Sequence, residues 1–175
     1  YRPGNIQRPV FPKEDSIVVP TTVEITTPAP AAAFIGFRLN GVGTEDEKYI
    51  TLVNQMLSNN VAGMLNLELT SSQKVKGASS FLFVNNDYSM HYINGNPKDG
   101  QMLSEVKDHL MSVLEKIKEG DFDDWLIQAC AIELKRRFIK DIAEGRNLDA
   151  IFATAFTQFQ SWSKRLAFYD EMQNV

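Results

Sequence analysis

Residues 31–47, AAAFIGFRLNGVGTEDE, hold the reading that decides the fold. Aromatic and branched side chains crowd positions 34–39, with Pro28 and Pro30 before them and Asn40-Gly41 after, which is the punctuation of a β-strand. Alternation along such a strand sets Phe34, Gly36 and Arg38 on one side and Ile35, Phe37 and Leu39 on the other. Thr44 followed three residues later by Glu47 has the form of a capping box, whose hydroxyl and carboxylate satisfy orphan amides at a helix start. Tyr49, Ile50, Val53, Met56 and Leu57 then recur at helical spacing, so one apolar face extends to about Ser58. A strand feeding an amphipathic helix needs a layered arrangement in which sheet and helix bury each other's apolar faces.

On the N-terminal side, Pro3, Pro9, Pro12, Pro20, Pro28 and Pro30 are six of the seven prolines. Proline fixes φ and removes a backbone donor, so residues 1–20 read as a linker, and an edge strand is the most that the segment before Ala31 could supply. On the C-terminal side, Asn59-Asn60 ends the first helix, and residues 62–67 begin a second, shorter one. Residues 79–84 and 88–94 read as strands joined through Asn85-Asn86-Asp87, a polar segment suited to a hairpin, and Gly95-Asn96-Pro97 is expected to break the second of them. A long helix follows over 100–119, with Leu103, Val106, Leu110, Val113, Leu114 and Ile117 on one stripe and Gly120 as its C-terminal stop. Asp123 is placed to cap the next helix, whose apolar positions are Ile127, Ala131, Leu134, Phe138 and Ile142, and Gly145 ends it. Ile151, Phe152, Ala155, Phe156 and Phe159, and then residues 166–172, continue in a helical pattern. The whole is α+β: a mostly antiparallel sheet with helices packed on one face, forming a single module over residues 21–175.

Composition excludes several classes. At 175 residues and 43% hydrophobic the chain buries a core without disulfide or metal staples. The longest uncharged apolar run, 29–37, falls far short of the roughly 20 residues of a bilayer span. A net charge of −4 and a pI near 5.2 do not provide the basic face that tracks phosphates, so neither nucleic acid nor a membrane span is expected. One cysteine, Cys130, permits no internal disulfide and suits a cytoplasmic or a periplasmic location equally. The start at Tyr1, without Met or a signal-peptide pattern, reads as a fragment of something longer.

No complete constellation for catalysis or metal binding appears. His91 and His109 lie eighteen residues apart, outside any zinc spacing; His91 reads as an ordinary half-buried or surface histidine of its strand and His109 as an ion-pair partner of Glu105 one turn away. Cys130 shares a helix side with Ile127 and Leu134 and reads as a small buried hydrophobe. Asp121, Asp123 and Asp124 suit the positive end of a helix better than a cation site. Gly36, Gly41 and Gly43 do not form a dinucleotide fingerprint. Lys135, Arg136, Arg137 and Lys140 are interleaved with Glu133, Asp141 and Glu144, the pattern of a solvated helix face. Catalytic, cofactor-binding and metal-ligating residues are therefore all expected to be none.

The stretch from Pro30 to Thr44 with Asp46-Glu47 opening a helix resembles the start of a pitrilysin/insulinase-family zinc metallopeptidase domain. The resemblance continues through 58–67, Gln73-Lys74-Val75, 92–98, 120–126 and Trp162, covering about residues 20–175. It implies a module repeated two or four times per peptidase, closing as a clamshell on unfolded peptides, with zinc in one module only. That catalytic module carries His-x-x-Glu-His and a downstream Glu; this chain has no such motif, so no catalytic role transfers. Partner-module Arg and Tyr residues that touch substrate in some relatives would fall near 69–81, where neither residue type occurs. The resemblance implies a non-catalytic structural and chamber-forming domain of a larger zinc peptidase, with zinc in the parent's catalytic domain and none here. Its partners would be the other domains and unfolded peptide, and the last strand and helix of the module are expected to be missing or to lie beyond Val175. The alternative is an inactive member or subunit that binds peptides or a partner protein; a third class, an independent enzyme with chemistry of its own, has the least support.

Overall fold

A computed structural model of the chain describes residues 11–175, with the backbone alone for Val61. Three strands, β1 (Ala33–Asn40), β2 (Gly77–Phe83) and β3 (Tyr88–Asn96), form one antiparallel sheet in the order β1-β3-β2. The helices are α1 (Asp46–Leu57), α2 (Leu103–Glu119), α3 (Trp125–Ala143), α4 (Leu148–Thr157) and α5 (Trp162–Glu171). The chain is α+β, with helices on one face of an antiparallel sheet. The first ten residues of the expected linker lie outside the described residues; residues 11–32 form neither strand nor helix, so the edge strand is not found among them.

Register explains the layering. Ile35 faces Ile93, and Ser80 faces Ile93 from the other side, so Ala33, Ile35, Ile93, Ala78 and Ser80 share one face. Onto this face α1 and α2 pack, closing a core of Leu57, Leu65, Leu69, Val75, Ile93, Val106, Leu110 and Val113. Each such side chain taken fully out of water contributes about 1.5–3 kcal/mol. A second core, Leu52, Met56, Cys130, Ala131 and Met172, lies between α1, α3 and the 3₁₀ turn Met172–Asn174, with Phe122 and Leu126 packing against both cores.

The β3 strand does not break at Gly95. Gly95 and Asn96 stay paired to Ala78 and Gly77, and Gly95 also to Ala33. The glycine is there for packing: a Cβ would lie 2.6 Å from Val106 Cγ1 and 3.3 Å from Leu110 Cδ1, so α2 settles onto the sheet only where β3 lacks a side chain.

The capping box before α1 is not formed. Thr44 Oγ1 donates to Gly41 O at 2.8 Å, and Glu47 Oε2 accepts from Gly43 N–H at 2.7 Å. Both side chains close the turn instead, because that turn is pinned to the β2–β3 connection. Val42 N–H donates to Asn85 O at 2.9 Å, and a Cβ on Gly41 would lie 2.1 Å from Asn86 O. Asp123 makes no side-chain cap either; α3 starts at Trp125, and the amide of Leu126 takes the backbone carbonyl of Asp123.

The short helix expected at 62–67 is a 3₁₀ turn, Asn60–Ala62, and then a π-helical turn, Asn66–Thr70, that buries Leu69. The long helix begins at Leu103 rather than Gly100 and ends as expected, with Gly120 left-handed at φ 75°. Gly145, at φ 67°, ends α3 with Arg146 N–H on Asp141 O at 2.8 Å. Toward the C-terminus Phe138 stacks on Tyr169 with centroids 4.2 Å apart, and Phe152 meets Trp162 at 5.0 Å. Phe156, expected among the apolar stripe, is 82% exposed, while Ala155 beside it is buried.

Candidate functional site

The residues singled out as chemistry-bearing are scattered. His91 is not half-exposed but buried, at 2% exposure, on the core side of β3. Its Nε2 lies 2.7 Å from Ser80 Oγ, which donates to Asn54 Oδ1 at 2.8 Å. With the serine proton committed to Asn54, the ring donates from Nε2, and burial pushes its pKa below 6.5. Serine, histidine and asparagine meet here, but Ser80 and His91 are both buried under α1, so the trio is a polar tie between helix and sheet.

His109 makes no ion pair with Glu105; its backbone carbonyl accepts from Ser112 Oγ at 2.7 Å. Cys130 is a buried hydrophobe, its thiol pushed up to about 11 by burial. Asp121, Asp123 and Asp124 are all exposed, and among the described residues no three His, Cys, Asp or Glu side chains gather as metal ligands. The basic side chains of α3 are paired: Arg136 to Glu133 at 2.8 Å, Lys135 to Asp170 at 2.7 Å, and Lys140 to Glu144 at 4.0 Å. The arginine at Glu133 holds that carboxyl below its usual range.

A groove of about 680 Å³ separates the β2–β3 connection from α4. It is lined by Asn85, Asn86, Asp87, Thr154, Thr157 and Gln158, and Asn86 and Gln158 bridge it by donating to Thr157 O and Val84 O. Nothing in it pairs a nucleophile with a base.

What the topology does assemble is the other face of the sheet. Phe34, Gly36 and Arg38 of β1, Tyr88, Met90 and Tyr92 of β3, and Phe81 and Phe83 of β2 share it by register. No helix among the described residues covers it: Phe34 is 67% exposed, and Phe81, Phe83 and Met90 are about half exposed. Tyr92 is flanked by Phe83 at 5.3 Å, nearly parallel, and by Phe81 at 5.6 Å. At the β1 side Arg38 stands 5.1 Å over the Tyr88 ring and binds Glu14 at 2.6 Å. The face therefore offers flat apolar area with a cation at one side, which is a contact surface and not a reaction centre.

Alternation along β1 puts Phe34 and Arg38 on this face, and the same period of two along β3 adds Tyr88, Met90 and Tyr92 once the register is known. No sequence signal pairs Arg38 with Glu14.

Residues 3–134 match the family model described as the peptidase M16 inactive domain. The chain belongs to this M16 inactive-domain family. The resemblance to a non-catalytic pitrilysin/insulinase domain therefore holds, and so does the fold class. Three solved chains are similar in fold. A protease from Helicobacter pylori is 17% identical with a TM-score of 0.72, over 81% of this chain and 34% of that one. An inactive peptidase domain from Bordetella parapertussis is 12% identical with a TM-score of 0.64, over 83% and 78%. A peptidase M16 inactive domain from Pseudomonas fluorescens is 15% identical with a TM-score of 0.67, over 84% and 36%. The chain thus spans about a third of the Helicobacter and Pseudomonas chains. No curated protein matches it.

An M16 inactive domain of this composition does not fit zinc: one histidine is locked to Ser80 inside the core, the other stands on α2, and His-x-x-Glu-His does not occur in the chain. Among the described residues no helix is long and apolar enough to cross a membrane.

Proposed function

We propose that this M16 inactive domain is the non-catalytic wall of a peptide chamber in a larger zinc-dependent peptidase, and that its open sheet face touches unfolded peptide. The uncovered aromatic face of β1-β3-β2 is the observation that carries the reading. Phe34, Phe81, Phe83, Met90 and Tyr92 present apolar area to solvent although the opposite face already supplies the core. Residues 1–20 link the domain, which occupies 21–175, to a preceding module that holds zinc and performs the hydrolysis. Peptide contact without chemistry suits a face whose one formally charged side chain is Arg38 and whose area is mostly aromatic.

The test uses the 175-residue chain and a labelled unfolded peptide. Binding by fluorescence anisotropy, lost on Phe81→Ser with Phe83→Ser, supports the face; unchanged binding by that variant overturns it. Stoichiometric zinc on the chain, or hydrolysis of casein by it alone, would sink the non-catalytic assignment.

A further inference from the structure

The three strands hold a single formally charged side chain, Arg38, and it sits on the open face. It is 21% exposed, held over the Tyr88 ring. Together these two residues grip one dipeptide of the Pro-rich segment. Arg38 Nη1 donates to Glu14 Oε2 at 2.6 Å, Arg38 Nη2 donates to the carbonyl of Asp15, and the amide of Glu14 donates to Tyr88 Oη at 3.0 Å. A carboxylate, a carbonyl and an N–H of two consecutive residues are thus bound by a pair of side chains, and any peptide with an acidic residue displays the same groups.

We infer that Arg38 and Tyr88 form a subsite for an acidic residue of a bound peptide, and that Glu14 of the chain's own N-terminal segment occupies it until such a peptide displaces it. The inference rests on the proposed reading that the open face touches peptide. Displacement is easy on physical grounds: residues 11–31 are exposed throughout, the Glu14 side chain is 70% exposed, and a solvated ion pair contributes little once screened. Arg38, by contrast, belongs to a paired strand and keeps its place when the segment leaves. Its register partner is Met90, whose partner on β2 is Phe83. Strands stand about 4.8 Å apart, so Arg38 and Phe83 are separated by about 10 Å, roughly three residues of extended chain. The favoured peptide carries an acidic side chain about three positions from an aromatic one.

Two labelled peptides test this, identical but for glutamate or glutamine three positions from a phenylalanine, titrated into the 175-residue chain. The glutamate peptide should bind more tightly, and Glu14→Gln should tighten it further by about fivefold by removing the internal competitor. Arg38→Gln should erase the difference between the two peptides, with circular dichroism confirming that the variant is folded. Equal binding of both peptides by the parent chain, or a glutamate affinity that Glu14→Gln does not raise, overturns the subsite and leaves the open-face reading intact. Binding of neither peptide overturns the open-face reading and the subsite with it.

Discussion

At the residue scale, two positions show how little room the sheet–helix interface leaves. Gly95 faces Val106 and Leu110 so closely that Gly95→Ala must push α2 off β3, at a cost of about 1–3 kcal/mol, read as a lower urea midpoint with an unchanged slope. His91 is the other. Burial lowers its pKa, so in the folded chain it stays neutral where the unfolded chain has begun to take up a proton. Its contribution is full above the unfolded value of 6.5 and is lost as pH falls from there toward the folded value. The urea midpoint should therefore fall more between about pH 7.5 and about pH 5.5 in the parent than in His91→Gln. Ser80→Ala removes the partner shared by His91 Nε2 and Asn54 Oδ1 and should cost about 1–3 kcal/mol by the same assay. Cys130, buried with its thiol near 11, should react with a disulfide reagent only at the rate of opening, a rate that rises when urea is added.

At the element scale, the passage from β1 into α1 depends on a turn. Thr44 and Glu47 were expected to cap the helix, and they fasten Gly41 and Gly43 instead. Thr44→Ala should still cost about 1 kcal/mol, now for the lost bond to the Gly41 carbonyl. The distinction is measurable: amide exchange should accelerate at Val42 and Gly43, in the turn, rather than at the first amides of α1. Register matters in the same way for the sheet. One-residue alternation made the two sides of β1 readable, yet which side is covered depends on where α1 and α2 come to rest, and that follows from the small residues Ala33, Ala78 and Gly95 opposite the α2 stripe.

At the scale of the whole molecule, the sheet has one covered and one open face, and the proposed peptide contact belongs to the open one. Phe81 and Phe83 are about half exposed and pack against Tyr92, tilted and stacked respectively, without entering either core. Their replacement by serine should lower peptide affinity while leaving the thermal midpoint within a few degrees of the parent, because little buried area is lost. A mainly structural role would produce the opposite pattern, a large drop in midpoint. On the α3 face the charges of Lys135, Arg136 and Arg137 are neutralised locally by Glu133 and Asp170. No comparable neutralisation inside the sheet attends Arg38, whose acidic partner comes from outside the strands.

The order of strand, helix, two strands and then helices, the α+β class, the ends of α2 and α3 at Gly120 and Gly145, and the lack of a zinc motif were all legible in the amino-acid sequence, because they rest on local periodicity, on left-handed glycine and on the identities of a few residue types. Tertiary structure alone decided that Gly95 belongs inside a strand, that His91 is buried against Ser80, and that Arg38, Tyr88 and Glu14 meet. Those three outcomes depend on groups 11 to 74 residues apart in the chain being brought together by strand register and helix packing. Local spacing carries no information about such distances; the burial of Ile93, Val106 and Leu110 against one another sets them.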